Sequence, residues 1–233
     1  MNTLLYDGKA KEIYATENEN NVIMFYKDDT KAYNGIKKAK INNKGVINNK
    51  ISSLIFEHLN ESGIRTHFIK RIDDRNQLCE KVAVIPLEVI CRNVACGSVC
   101  RRYGYDEGRV FKAEIMDYCY KNDDLDDPYI NFDTAVELGL ADKTTLKYID
   151  VTARKINRIL FEFFDKIDII LVDFKMEFGI NASGEVLLCD EISPDTARLW
   201  DKESKEKLDK DRFRRDMGKI EEAYFEILKR LNK

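Results

Sequence analysis

Histidine is nearly absent from this chain: 233 residues contain two, His58 and His67. The six cysteines, Cys79, Cys91, Cys96, Cys100, Cys119 and Cys189, form no Cys-x-x-Cys pair. Structural zinc sites are built from such closely spaced ligands, so none is expected. Several of the cysteines lie in apolar stretches, where a thiol behaves as a small buried hydrophobe, and reduced thiols in the cytosol are the plain expectation. No apolar run approaches the ~20 residues needed to span a bilayer. Met1 to Lys11 hold no apolar core of signal-peptide length. A cytoplasmic location with no membrane partner is therefore expected. A basic excess is missing too: 39 Lys and Arg face 42 Asp and Glu, a formal net charge of −3. That balance argues against general nucleic-acid binding while leaving room for local basic pockets. Internal repeats and low-complexity tracts are also lacking.

What is present fits a globular protein. Apolar residues make up 44%, enough for a real core in one large domain or two small ones. Residues 4–14 and 21–27 read as strands with a turn at Asp7-Gly8. The apolar spacing over residues 46–62 predicts a helix stopped by Gly63. Ile64 to Ile72 and Val82 to Cys91 read as strands, with Pro86 marking an edge or an irregularity in the second. Asn93 to Asn131 is rich in Gly, Asp and Tyr and predicts a long functional loop with short elements at best. Leu146, Ile149, Ala153, Ile156, Leu160 and Phe163 make one stripe of a helix over Asp142 to Phe164. Ile169 to Phe178 and Glu185 to Ile192 read as strands of a hairpin around Asn181-Ala182-Ser183-Gly184. Asp211 to Leu231 predicts a final amphipathic helix. The pattern suggests an α+β protein of two lobes, with a boundary near residues 80–85.

The hairpin carries the most chemistry. Side chains alternate along a strand, so Asp173, Lys175 and Glu177 share one face of Val172 to Phe178 and the apolar residues take the other. An even hairpin loop pairs Lys175 with Asp190 on that same face. Carboxylates and a lysine are what a protein uses to hold Mg²⁺ and a polyphosphate. The pattern equally fits a solvated face with cross-strand ion pairs.

Three further segments are candidates. Gly8-Lys9-Ala10-Lys11 is a short basic turn whose backbone and lysines suit phosphate, although it lacks the Walker spacing and also fits an ordinary surface turn. Arg92 leaves an apolar strand ahead of Gly97-Ser98, as a phosphate or carboxylate cradle would, or as a strand end with an ion pair. Asp190 to Asp201 is a polar segment leaving a strand, where sites are commonly built, and Ser193-Pro194-Asp195 is also good turn chemistry. Arg101 and Arg102 add positive charge near the Arg92 cradle or are simply solvated, and Arg215 reads as part of an exposed basic turn. His58 and His67 look unremarkable, and Cys96 and Cys100 have no adjacent base, which argues against a thiol nucleophile.

Read together, these segments resemble the SAICAR synthetase family. The likeness runs nearly end to end: Gly8-Lys9-Ala10-Lys11, Asn48-Asn49-Lys50, Pro86-Leu87-Glu88-Val89, Arg92-Asn93, Gly97-Ser98, Lys121-Asn122-Asp123, Asp127-Pro128, Val172 to Gly179, Asp190 to Asp195, Arg198 to Asp201 and Asp209 to Arg214. Departures are small: Cys96 and Ala197 replace other small residues, and Tyr33 stands where phenylalanine is common. The resemblance implies an α+β, ATP-grasp or kinase-like fold, with an N-terminal antiparallel lobe of residues 1–82 and a larger mixed lobe of residues 83–233 around an ATP cleft.

The activity it implies is an ATP- and Mg²⁺-dependent ligation of purine biosynthesis. L-aspartate joins a carboxylated aminoimidazole ribonucleotide, giving ADP, phosphate and SAICAR. It implies that Lys9, Ala10 and Lys11 cover the phosphates and that residues 80–84, with Val82 and Val84, lie along the adenine. Lys175 reaches phosphate, and Glu177 and Asp190 hold the metal. Arg92, Ser98 and Arg198 bind the ribonucleotide, Arg214 and Asp195 contribute to it, and Asp127 positions a substrate amine. A homodimer is the expected assembly. A small-molecule kinase would share the metal carboxylates but need a hydroxyl acceptor. A regulatory domain without turnover would have lost Lys175, Glu177 or Asp190, and all three are present.

Overall fold

Two antiparallel sheets carry the chain, and in each the alternation of the sequence decides which side chains face inward. The computed structural model describes residues 3–32 and 35–232; Tyr33 lies outside them. The first part of the chain supplies strands β1 (Leu4–Asp7), β2 (Lys11–Ala15), β3 (Asn21–Tyr26), β4 (Asp29–Ala32) and β5 (Lys37–Lys40). Helix α1 (Lys44–Glu61) follows, then β6 (Phe68–Arg71) and β7 (Asn76–Glu80). The first sheet has the order β1-β2-β3-β7-β6, while β4 and β5 form a separate ribbon. In β3 the alternation is clean: Val22, Met24 and Tyr26 are buried between half-buried neighbours.

The second sheet begins with β8 (Val82–Val94). Helix α2 (Ser98–Tyr103), β9 (Val110–Tyr120), β10 (Tyr129–Ile130), α3 (Phe132–Glu137) and α4 (Lys143–Asp165) come next. Then come β11 (Ile169–Asn181), β12 (Val186–Cys189) and β13 (Ala197–Asp201), and the chain ends with α5 (Asp211–Arg214) and α6 (Ile220–Leu231). The order is β10-β9-β8-β11-β12, with β13 on the free part of β11. Among the described residues no helix is long and apolar enough to cross a membrane.

Helix α4 packs on the apolar face of this second sheet, and α1, lying against α4, α6 and the first sheet, shares the same core. Ile51, Ile55, Phe56 and Leu59 of α1 join Ile149, Ile156 and Leu160 of α4 and Phe174, Met176 and Phe178 of β11 in one core cluster. Each such fully buried side chain contributes about 1.5–3 kcal/mol of burial free energy. Asp142 starts α4 as its N-cap, accepting the Thr145 N–H at 2.7 Å. The other face carries a small apolar cluster of Val94, Cys96, Val172 and Trp200 at one end and polar side chains over the rest.

Three expectations are corrected. Asn93 to Asn131 is not chiefly loop, because β9 runs eleven residues and pairs along β8. Its apolar alternation is broken on both faces, by Glu114, which pairs with Arg154 of α4, and by Asp117, which turns to Arg92 on the charged face. Residues 211–231 are two helices: Gly218 and Lys219 take φ of +66° and +49° between them, which ends the helical path. Ile64 to Ile72 is strand only from Phe68, with a single bridge at Thr66. Pro86 lies inside a strand flanked on both sides rather than at an edge. It sits where five residues of β8 oppose three of β11, the irregular alternative, because proline has no N–H for the ladder.

Candidate active site

The polar face of the second sheet is a set of rows in register. Asp173 of β11 pairs with Arg92 of β8 on one side and Arg198 of β13 on the other. Two residues along, Lys175 pairs with Ile90, and Glu177 pairs with Glu88. On β9, Asp117 lies opposite Ile90 and Cys119 opposite Glu88. Alternation therefore places Arg92, Arg198, Asp173, Lys175, Glu177, Glu88 and Asp117 on one side of the sheet.

Asp190 reaches this side by another route. The hairpin pairs Ile180 with Val186 and Glu177 with Cys189, an odd loop, so Asp190 is not the partner of Lys175. Continued as a strand, Asp190 would point into the apolar layer. It instead adopts φ +64° and turns its carboxylate onto Lys11. The pairing expected from an even loop is thus corrected, and a left-handed residue brings the same group to the same side. Gly179 is required next to this turn, because a Cβ there would lie 2.6 Å from the Val82 side chain.

One half of the face is a lysine–carboxylate cluster. Lys11, arriving from the first sheet, contacts Asp190 and lies 2.8 Å from Glu191. Lys175 is 2.6 Å from Glu177 and 2.8 Å from Glu88, and Lys121 also contacts Glu177. Burial alone would depress Lys11 and Lys175, but the neighbouring carboxylates outweigh it and hold both above the ordinary lysine range. Burial likewise opposes ionisation of Asp190, yet Lys11, Lys175 and Lys121 hold it below the usual carboxylate range. Lys9 lies at the rim, 2.5 Å from Asp123. Gly8 N–H donates to the Lys11 carbonyl at 2.8 Å and Lys27 N–H to Ala10 at 2.9 Å, fixing the basic turn. Val82 and the half-exposed Val84 line the start of β8 beside Gly179.

The other half is an arginine cluster. Arg92 donates to Asp117 at 2.7 Å, Asp173 at 2.8 Å, Ser98 at 3.2 Å and Tyr129 at 3.3 Å. Arg198 donates to Asp173 at 2.9 Å and Asp211 at 3.0 Å, and Arg214 lies 2.6 Å from Asp211. Burial lowers the pKa of Arg198, but the charges of Asp173 and Asp211 more than reverse this. Gly97, at φ +67°, lets Arg198 in: a Cβ would meet its guanidinium at 2.5 Å. Arg102 is not merely solvated, since it sits 2.5 Å from Asp117 and stacks 3.5 Å over the Tyr129 ring. Arg215 is likewise paired, with Glu107 at 2.5 Å.

Asp195 and Asp127 lie off these rows. The Asp195 carboxylate is buried 2.6 Å from Lys44 of α1 and accepts the Tyr224 hydroxyl at 2.8 Å, so it ties the 190–196 turn to two helices. Asp127 accepts the Asn122 N–H at 2.8 Å in the loop after Lys121. Sequence reading missed Lys121, Lys44, Glu88, Asp117, Tyr129 and Asp211 as members of the site. Glu88, Lys121 and Asp211 stood inside segments that carry the family likeness without being assigned a role, and the alternation of Asp117, Cys119 and Lys121 needed β9 to be recognised as a strand. Burial pushes the Cys96 and Cys119 thiols up to about 12, where they are not nucleophiles.

Among the described residues no three His, Cys, Asp or Glu side chains gather as a ready-made metal centre. Even so, Asp190, Glu191, Glu177 and Glu88 converge around Lys11, Lys121 and Lys175, and Glu191 Oε2 is buried without a hydrogen-bond partner. The ammonium groups stand where a hard cation would, so the donor set fits a divalent ion whose remaining ligands come from a bound polyphosphate.

Comparison with known proteins agrees with this geometry. Residues 4–231 match the SAICAR synthetase family. The phosphoribosylaminoimidazole-succinocarboxamide synthase of Clostridium botulinum (strain Loch Maree) is 56% identical over 230 residues, 99% of this chain and 98% of that one. The crystal structure of the Ehrlichia chaffeensis enzyme of the same name superposes with a TM-score of 0.97 at 42% identity, covering 99% and 98% of the two chains. A SAICAR synthetase in complex with ADP gives a TM-score of 0.94 at 44% identity, covering 97% and 96%.

Proposed function

This chain belongs to the SAICAR synthetase family of ATP-dependent ligases, and from that premise we propose the reaction it performs. It joins L-aspartate to 5-amino-1-(5-phospho-D-ribosyl)imidazole-4-carboxylate, converting ATP to ADP and phosphate and forming SAICAR for de novo purine biosynthesis. The observation that carries this reading is the division of one sheet face into a lysine–carboxylate half and an arginine half. Two anions are thereby served side by side, a polyphosphate at the lysines and a ribonucleotide at the arginines, whose planar forks suit phosphate and carboxylate.

ATP lies between the lobes of residues 1–82 and 83–233, its adenine along Val82 and Val84 and its phosphates under Lys9, Ala10 and Lys11, with Lys175 reaching them from below. Glu177 and Asp190 hold Mg²⁺, which when bound neutralises phosphate charge. Arg92, Ser98 and Arg198 grip the ribonucleotide, Arg214 adds a further cation, and Asp195 sets the turn that faces it. Phosphoryl transfer asks for in-line positioning and charge neutralisation rather than a covalent protein carrier. The ribonucleotide carboxylate oxygen takes the γ-phosphoryl group and ADP leaves. The neutral aspartate amine, positioned by Asp127, then forms the C–N bond as the C–O bond to phosphate breaks, and the nitrogen loses a proton. Water would hydrolyse such an acyl phosphate, so the two lobes close over it. The enzyme works as a homodimer.

The test labels the ribonucleotide carboxylate with heavy oxygen and weighs the released phosphate. One labelled oxygen per phosphate is expected. Unlabelled phosphate at the normal rate of amide formation rules out carboxylate activation. ADP release that persists undiminished without L-aspartate favours a hydroxyl kinase.

A further inference from the structure

We propose that His67 is a positioning residue that sets the direction of the Asp190 carboxylate. The inference rests on the reading of Asp190 as a holder of the nucleotide's metal. His67 is 3% exposed and has no part in the chemistry described so far. Its ring lies edge-on to Phe56, with centroids 5.5 Å apart, and its Nε2 lies 3.1 Å from the Asp190 carbonyl. A carbonyl only accepts, so Nε2 carries the hydrogen and the ring donates.

The surrounding backbone explains why a side chain is needed there. Residues 65–67 run parallel to the end of β12: Leu188 N–H donates to Arg65 at 3.1 Å and His67 N–H to Leu188 at 2.8 Å. One more step of this ladder would take Asp190 N–H to the His67 carbonyl and Ile69 N–H to the Asp190 carbonyl. The His67 carbonyl instead accepts Glu80 N–H at 2.6 Å, and the ladder ends there. Asp190 is released into its left-handed turn at φ +64°, a conformation that strains residues with a Cβ, though aspartate less than most. Its carbonyl then needs a donor from elsewhere, and the imidazole supplies it. The bond pins the strained residue at the point where its side chain leaves the strand direction and meets Lys11.

The experiment measures free Mn²⁺ by electron paramagnetic resonance while the ADP-loaded enzyme is titrated. It compares His67→Gln, His67→Asn, His67→Phe and Asp190→Asn with the parent chain. Glutamine places an amide N–H where Nε2 stands and should keep Mn²⁺ affinity within about twofold; asparagine is too short and phenylalanine has no donor, and both should lose about tenfold or more, as loss of a supporting hydrogen bond behind a ligand does. The asparagine and glutamine variants differ by one methylene, so their contrast stands even if the phenylalanine variant fails to fold. Equal affinities for these two, with Asp190→Asn weakened, overturn the positioning role and leave the metal assignment intact. Undiminished binding by Asp190→Asn overturns the metal assignment itself.

Discussion

Arg198 Nη1 lies 3.0 and 2.9 Å from the two oxygens of Asp173. The same carboxylate receives Arg92 at 2.8 Å. One buried anion thus holds two guanidinium groups in register on neighbouring strands, facing the same way. Lysine has neither the planar fork nor the reach to span Asp173 and Asp211 together. Arg198→Lys is expected to raise the KM for the ribonucleotide at least about tenfold while the Kd for ADP changes less than about twofold. Calorimetry with each ligand checks the split, and weakened ADP binding with unchanged ribonucleotide binding would exchange the two pockets.

Gly97 is the gate through which Arg198 approaches. At φ +67° and ψ −126° the backbone lies where essentially only glycine is found, and an alanine Cβ would stand 2.5 Å from the guanidinium. Gly97→Ala should therefore displace Arg198 and reproduce much of the ribonucleotide defect of Arg198→Lys. Steady-state kinetics on the single and double variants would show non-additive losses. Additive losses would mean that Gly97 acts elsewhere.

Lys44 and Asp195 form a pair that is nearly sealed from water. The carboxylate stays ionised despite burial because the Lys44 charge, Lys210 and the Tyr224 hydroxyl favour its charged form. Lys44→Met strands that charge and should cost about 3–5 kcal/mol of stability. Replacing both partners with apolar residues should recover part of the loss, measurable by urea unfolding.

Asp209 behaves in the opposite way. Burial, reinforced by the charge of Asp211, pushes its carboxyl up to about 7. The folded state then holds a proton that the unfolded chain has already released. Its stabilising contribution is present below the ordinary carboxyl range and is lost as pH rises toward about 7. Asp209→Asn removes the titration, so the stability gap between parent and variant should shrink by a few kcal/mol between pH 4 and pH 7.5. Parallel stability–pH curves for the two proteins would refute this.

Elements with strong periodicity, and the motifs within them, were legible from local spacing alone. The α4 stripe, the hairpin of β11 and β12, the alternation of Asp173, Lys175 and Glu177 and the basic turn at Gly8 all follow from local spacing, because helix and strand periods are properties of the backbone. Tertiary structure decided which charges meet. Lys11 and Asp190 are separated by 179 positions and belong to different sheets, and no local pattern encodes that contact. Asp190 reaches it only through a left-handed turn, and a register argument based on strand alternation does not contain that turn. Strand β9 was hidden because its charged residues answer to distant partners, Asp117 to Arg92 of β8 and Glu114 to Arg154 of α4, rather than to their own neighbours. Lys44, two residues ahead of the helix read over residues 46–62, becomes a buried counter-ion because the 190–196 turn lands on it.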